Sequence, residues 1–243
     1  GAPGRSFRDL VMEGDKIVAR GEKAGKSLRA TGGSDVIRLA DYDALVVIGG
    51  SVSLLKLGKL VQGYVPPFMN PLLLGPVRKA GQADFEARIK AFYRKKEPWL
   101  VSRALFLEML RAVQAQSHGA QLLASVSRAR PMPLAQVATP YPSSALVELE
   151  PKNLISQLVK LGYGPLFADM VAQTLADILP KGAKLIRPPA DLLVEGILTE
   201  RSYSDGSMAL REEKGEHDED DLFHMNEAYG EVMLRRIILE MSR

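Results

Sequence analysis

The segment Asp43-Ala-Leu-Val-Val-Ile-Gly-Gly50 sets five consecutive apolar residues between an aspartate and a glycine pair. That pattern predicts a strand buried on both faces of a parallel sheet, the strongest single constraint on how this chain folds. A second apolar run, Leu134 to Ala138, ends in the rigid sequence Thr139-Pro-Tyr-Pro142 and predicts a core strand followed by a shaped loop. Lys184 to Arg187, stopped by Pro188-Pro189, and Lys16 to Arg20, after Gly14-Asp15, predict two shorter strands.

Helical periodicity fills the intervals. From about Glu97 to Gln116, Leu100, Ala104, Leu107, Leu110 and Val113 recur at spacings of three and four, with Gly119 as the stop signal. Phe167, Met170, Val171, Thr174, Leu175 and Ile178 form a stripe between Leu166 and Leu179, ended by Pro180 and Gly182. A last helix starts after Asn226, a good cap, and carries Met233, Leu234, Ile237, Ile238 and Met241 on one face. Strands alternating with helices over the whole length predict an α/β sandwich with a mostly parallel sheet. No repeat or composition break divides the 243 residues, so a single domain is expected.

Between these elements, Gly21 to Asp35 is rich in Gly, Lys and Ser and is read as a polar loop. Gly63 to Gly81 carries Pro66, Pro67, Pro71 and Pro76 and cannot be one regular helix, which suggests a lid. Arg78, Lys79, Arg88, Lys90, Arg94, Lys95 and Lys96 form the densest basic region, read as a solvated helix face.

Composition then excludes several chemistries. With 46% hydrophobic and 25% charged residues the chain can bury a core, and a net charge of +3 is too small to point to a nucleic-acid partner. The absence of cysteine removes disulfides, thiolate metal sites and cysteine nucleophiles. No apolar run approaches the roughly 18–20 residues of a membrane span, so a soluble chain is expected, with the cytoplasm favoured.

Gly21-Glu-Lys-Ala-Gly-Lys-Ser27 follows a strand-like run, as a phosphate-binding loop does, but is one residue short between its glycines. It is read as a solvated loop. Gly32-Gly-Ser-Asp35 follows no apolar strand and does not fit a nucleophile elbow. Of the three histidines, His118 sits at a helix end and His217 in the acidic run Glu212 to Asp221. His224 stands in Asp221-Leu-Phe-His-Met-Asn226, where an Asp three residues earlier can accept the Nδ1 proton and leave Nε2 as a base.

A Gly-rich turn at the start, a buried strand ending in Gly49-Gly50, a strand ending in Thr139-Pro-Tyr-Pro142 and Asp221-x-x-His224 before the final helix together resemble the SGNH, or GDSL-type, hydrolase family. The resemblance implies a three-layer, flavodoxin-like α/β/α domain, with His224 as general base, Asp221 as its orienting carboxylate and the Gly4 N–H in the oxyanion hole. It places the family's Gly-x-Asn block on Gly49-Gly50-Ser51, where Ser51 replaces the amide donor. The family's Gly-Asp-Ser nucleophile block has no counterpart before Gly4, so the chain is expected to lack a first strand and helix. The activity implied by the resemblance is that of a serine ester hydrolase or acyl transferase acting on a small acyl ester, such as one of a carbohydrate, with neither cofactor nor metal. The alternative is a catalytically inactive binding or scaffolding relative.

Overall fold

The computed structural model describes residues 9–32, 34–65, 99–207 and 222–242. Its strands are β1 Leu10–Glu13, β2 Lys16–Ala19, β3 Val36–Arg38, β4 Leu45–Ile48, β5 Tyr64–Val65, β6 Trp99–Leu100, β7 Leu134–Val137, β8 Lys184–Ile186, β9 Leu193–Val194 and β10 Leu198–Thr199. Its helices are α1 Glu22–Gly32, α2 Leu54–Gly63, α3 Arg103–Ala115, α4 His118–Ala129, α5 Leu146–Leu149, α6 Leu154–Lys160, α7 Gly164–Ile178 and α8 Glu227–Met241. This is an α/β fold. Of the proposed lid, Gly63 ends α2 and Tyr64–Val65 form β5; its residues 66–81, the basic region Arg78 to Lys96, Gly4, His217 and Asp221 lie outside the described residues.

At the centre, β4, β7 and β8 form a parallel sheet in that order, with Leu45 opposite Leu134 and Ala135 opposite Lys184. The two-residue period of the strands sorts their side chains onto two helical layers. Ala135, Val137 and Ile186 pack on Tyr229, Met233 and Ile237 of α8. Val47 and Leu134 point the other way, onto Leu123 and Val126 of α4, together with Ile17 and Leu39 from the antiparallel β1–β2–β3 sheet and the turn after it. A third cluster joins α3 and α7 through Phe106, Leu110, Phe167, Met170 and Val171.

The edges of the helices follow from capping chemistry. Ser102 and Ser117 accept the N–H groups of Leu105 and Ala120, and Asn226 accepts that of Tyr229, so each oxygen satisfies a first-turn donor that has no partner within its helix.

Three expectations are corrected. Gly21 to Asp35 is not a loop: α1 occupies most of it, because Ala24 buries one face and the exposed polar residues are compatible with a helix surface. Gly119 does not simply stop a helix. The first helix ends at Ala115, and Ser117 caps a second in which Gly119 is an early residue. Nor is β4 buried on both faces: Val47 is buried, while Ile48 is 62% exposed because β4 pairs only with β7 among the described residues and α8 packs toward β7 and β8.

Candidate functional site

In a parallel sheet the loops leaving the carboxyl ends of the strands gather at one edge, where α/β proteins place ligands. Here those loops are Gly49 to Ser53 after β4, Ala138 to Ser144 after β7 and Arg187 to Pro189 after β8. Gly49 and Gly50 both adopt left-handed backbone, φ 75° and 72°, a conformation that L side chains rarely take, and so turn the chain sharply out of β4.

Ser51 and Thr139 close a ring across the first two loops. Their hydroxyl oxygens are 2.6 Å apart, the Thr139 N–H donates to Ser51 Oγ at 3.1 Å, and Thr139 Oγ1 donates to the Ser51 carbonyl at 3.3 Å. The hydrogens balance when Ser51 Oγ donates to Thr139 Oγ1 while accepting the amide. Below this brace, the buried Gln136 amide donates from Nε2 to the carbonyls of Gly49 at 2.8 Å and Val47 at 3.2 Å. Gly119 donates its N–H to the Gly50 carbonyl at 3.1 Å, so α4 begins directly against the turn.

The segment that carries His224 is brought to the same edge. Ser143 N–H donates to the Leu222 carbonyl at 2.8 Å, and Leu222 is buried in the α3–α7 cluster. On the other side of His224, Asn226 accepts from Tyr229, gives its own N–H to the Tyr203 carbonyl, and donates from Nδ2 to Ser202 and Asp205 carbonyls at 2.8 and 3.0 Å. His224 itself is exposed. Its neighbours are therefore pinned while its imidazole reaches solvent. Asn226→Ala is expected to cost about 2 kcal/mol, one cap and two further hydrogen bonds, in denaturant unfolding.

Arg187, after β8, pairs with Asp169 of α7 at 3.0 Å and lies beside the Tyr141 phenol. Burial pushes the Tyr141 phenol above the ordinary range and the Arg187 charge opposes it. Tyr229, on α8, is pushed further up by burial, and its hydroxyl has no hydrogen-bond partner among the described residues.

Both phenols therefore favour the neutral form when folded. Their contribution is whole below the unfolded tyrosine pKa of about 10 and is lost as pH climbs from there toward the folded values. Ultraviolet titration is expected to show these two phenols ionising only with alkaline unfolding. Tyr229→Phe, which removes an orphaned hydroxyl, is expected to raise stability at pH 7 by about 1 kcal/mol and to blunt the alkaline transition.

Sequence reasoning did not single out Gln136, Thr139 or Tyr141 as site residues, and only the prolines beside the last two marked their loop. His118 lies in the first turn of α4, half-buried. Among the described residues no cluster of three or more His, Asp or Glu is placed to hold a metal ion, and no helix is long and apolar enough to cross a membrane. Comparison with protein-family models, with curated proteins and with solved structures gives no match for this chain.

Proposed function

We propose that the carboxyl edge of the β4–β7–β8 sheet is the site of a serine ester hydrolase or acyl transferase acting on a small acyl ester. The observation that carries this is the position of His224: an exposed imidazole on a segment anchored on both sides, by Leu222 to the loop after β7 and by Asn226 to the 202–205 turn. A base so held can take a proton from a hydroxyl nucleophile at the mouth of the loops and return it to the leaving alcohol.

With the Ser51 hydroxyl turned to Thr139, the left-handed Gly49-Gly50 turn makes backbone N–H groups the better candidates for donors to a developing oxyanion. Gly4 and Asp221 keep the roles that the resemblance to SGNH hydrolases implies. That resemblance leaves the nucleophilic serine unassigned, and labelling would identify it.

The test is turnover of p-nitrophenyl acetate, with fluorophosphonate labelling, by the full-length gene product. His224→Ala is expected to lower kcat by a factor of about 100 or more and to suppress labelling, as loss of a general base does. Unchanged turnover in that variant overturns the assignment.

The closed Ser51–Thr139 ring favours a second function, an inactive binding protein of the same fold, because it makes the described serine nearest the β4 turn a brace between loops. Absence of both label and turnover in the full-length protein would establish that alternative over the first.

A further inference from the structure

The most exposed large apolar side chain among the described residues is Trp99, 64% accessible. It does not stand alone. Strands β5 and β6 pair in parallel with Tyr64 opposite Trp99, and side chains opposite each other in a parallel pair project from the same face. Tyr64 is exposed as well, at 40%, so two neighbouring aromatic rings face water.

Both residues are held by the elements beside them. The Tyr64 N–H donates to the Leu60 carbonyl and closes the end of α2, and three residues after Trp99 the Ser102 hydroxyl caps α3. Val101, between Trp99 and that cap, packs against the core cluster of α3 and α7. A rigid platform therefore presents outward two rings that water solvates poorly.

The sequence that leaves β5 and returns at β6, residues 66–98, points to what covers the pair. It carries seven Lys and Arg against three Asp and Glu, an excess of four positive charges in a chain whose total is +3, so the remainder of the protein is slightly acidic. Its first part, 66–77, has no charged residue and holds Phe68, Met69, Leu72, Leu73, Leu74 and Val77. Trp and Tyr suit a membrane–water interface because each has an apolar body and a polar tip. Lys and Arg are drawn to anionic headgroups, and the two attractions add. A nucleic acid would use the positive charge and could stack on the rings, but it offers nothing to six large apolar side chains with no charge among them.

We propose that the Tyr64–Trp99 pair is the docking surface by which this protein associates with an anionic lipid membrane. The rings sit at the level of the headgroups, and the positive charge of the adjoining sequence sets the preference for acidic lipid. Such an association is peripheral and reversible. The pair belongs to the two-stranded β5–β6 sheet, separate from the β4–β7–β8 sheet whose carboxyl edge carries the proposed ester chemistry, so the inference does not rest on that reading.

Trp99 is the only tryptophan of the chain, so its fluorescence reports on this surface directly. The full chain is titrated with vesicles of phosphatidylcholine containing about 30% phosphatidylserine, and with phosphatidylcholine alone. The anionic vesicles are expected to shift Trp99 emission saturably to shorter wavelength, and to bind about tenfold or more tightly than the neutral ones at about 0.1 M salt. Raising the salt to about 0.5 M is expected to weaken the association. Trp99→Ser, followed by cosedimentation, is expected to lose about tenfold in affinity and Trp99→Phe to regain most of it. Both variants are expected to unfold in urea as the unmodified protein does, because the ring is exposed.

Binding to anionic vesicles with no change in Trp99 emission overturns the proposal, since charge alone would then hold the protein while the ring stays in water. Equal affinity for the two kinds of vesicle, or association with neither, overturns it as well. Tighter binding to a single-stranded RNA oligonucleotide than to the anionic vesicles would overturn it in favour of a nucleic-acid surface. Because the readout is lipid binding, failure here and failure of ester turnover are separate results.

Discussion

Phe167→Ala is expected to destabilise the protein by about 3–5 kcal/mol, a loss of roughly 10 °C in Tm for a domain of this size. Phe167 is fully buried on α7, among Phe106 and Leu110 of α3, Leu57 of α2, and Ile155 and Leu158 of α6. Truncation loses the transfer energy of the ring and leaves a void that four helices would have to collapse to fill. Urea unfolding followed by circular dichroism measures the effect. A change below about 1 kcal/mol would show that the site repacks freely and that the α3–α7 cluster is not the main core.

Gly119→Ala is the second large effect, expected to cost about 2 kcal/mol even though alanine is the better helix former by about 1 kcal/mol. A Cβ at Gly119 would stand 2.5 Å from Gln136 Oε1 and 3.2 Å from both the carbonyl carbon and oxygen of Gly50. None of these can yield cheaply. Gln136 is fixed by its bonds to Val47 and Gly49, and Gly50 is backbone that accepts the Gly119 N–H itself. Relief requires α4 to lift from the turn after β4.

The matched control is Gly230→Ala on α8, where an added Cβ meets nothing within 4 Å. There the propensity term acts alone, and a gain of about 0.5–1 kcal/mol is expected. If the two substitutions had the same sign of effect in thermal unfolding, the close approach of α4 to the Gly49-Gly50 turn would be refuted.

These two glycines show where the sequence could be read and where it could not. The apolar runs at β4 and β7 and the stripes of α7 and α8 signal themselves, because their burial imposes a period on neighbouring residues. Helix α4 was hidden although Ala120, Leu123 and Val126 lie at helical spacing, since Gly119 looks like a terminator and Ser117 gives the opposite instruction two residues earlier. Helix α1 was masked by its Gly, Lys and Ser content, with Ala24 a small anchor for its buried side.

For the site, Asp221-x-x-His224 is a local pattern and could be noticed. The Ser51–Thr139 ring spans 88 residues of sequence and exists only because β4 and β7 are adjacent in parallel register. Gln136 looked like one polar interruption of an apolar run, yet it is the amide that ties the ends of both strands together.

The clip made by Asn226 has a consequence for how the chain could be cut. Asn226 holds the carbonyls of Ser202 and Asp205, Leu222 is bonded to Ser143, and α8 lays Tyr229, Met233 and Ile237 against the sheet. A protease that severed any peptide bond between 208 and 221 would therefore release nothing. The carboxyl-terminal fragment would stay seated as a noncovalent complement, copurifying with the rest of the chain under native conditions and parting from it only in denaturant.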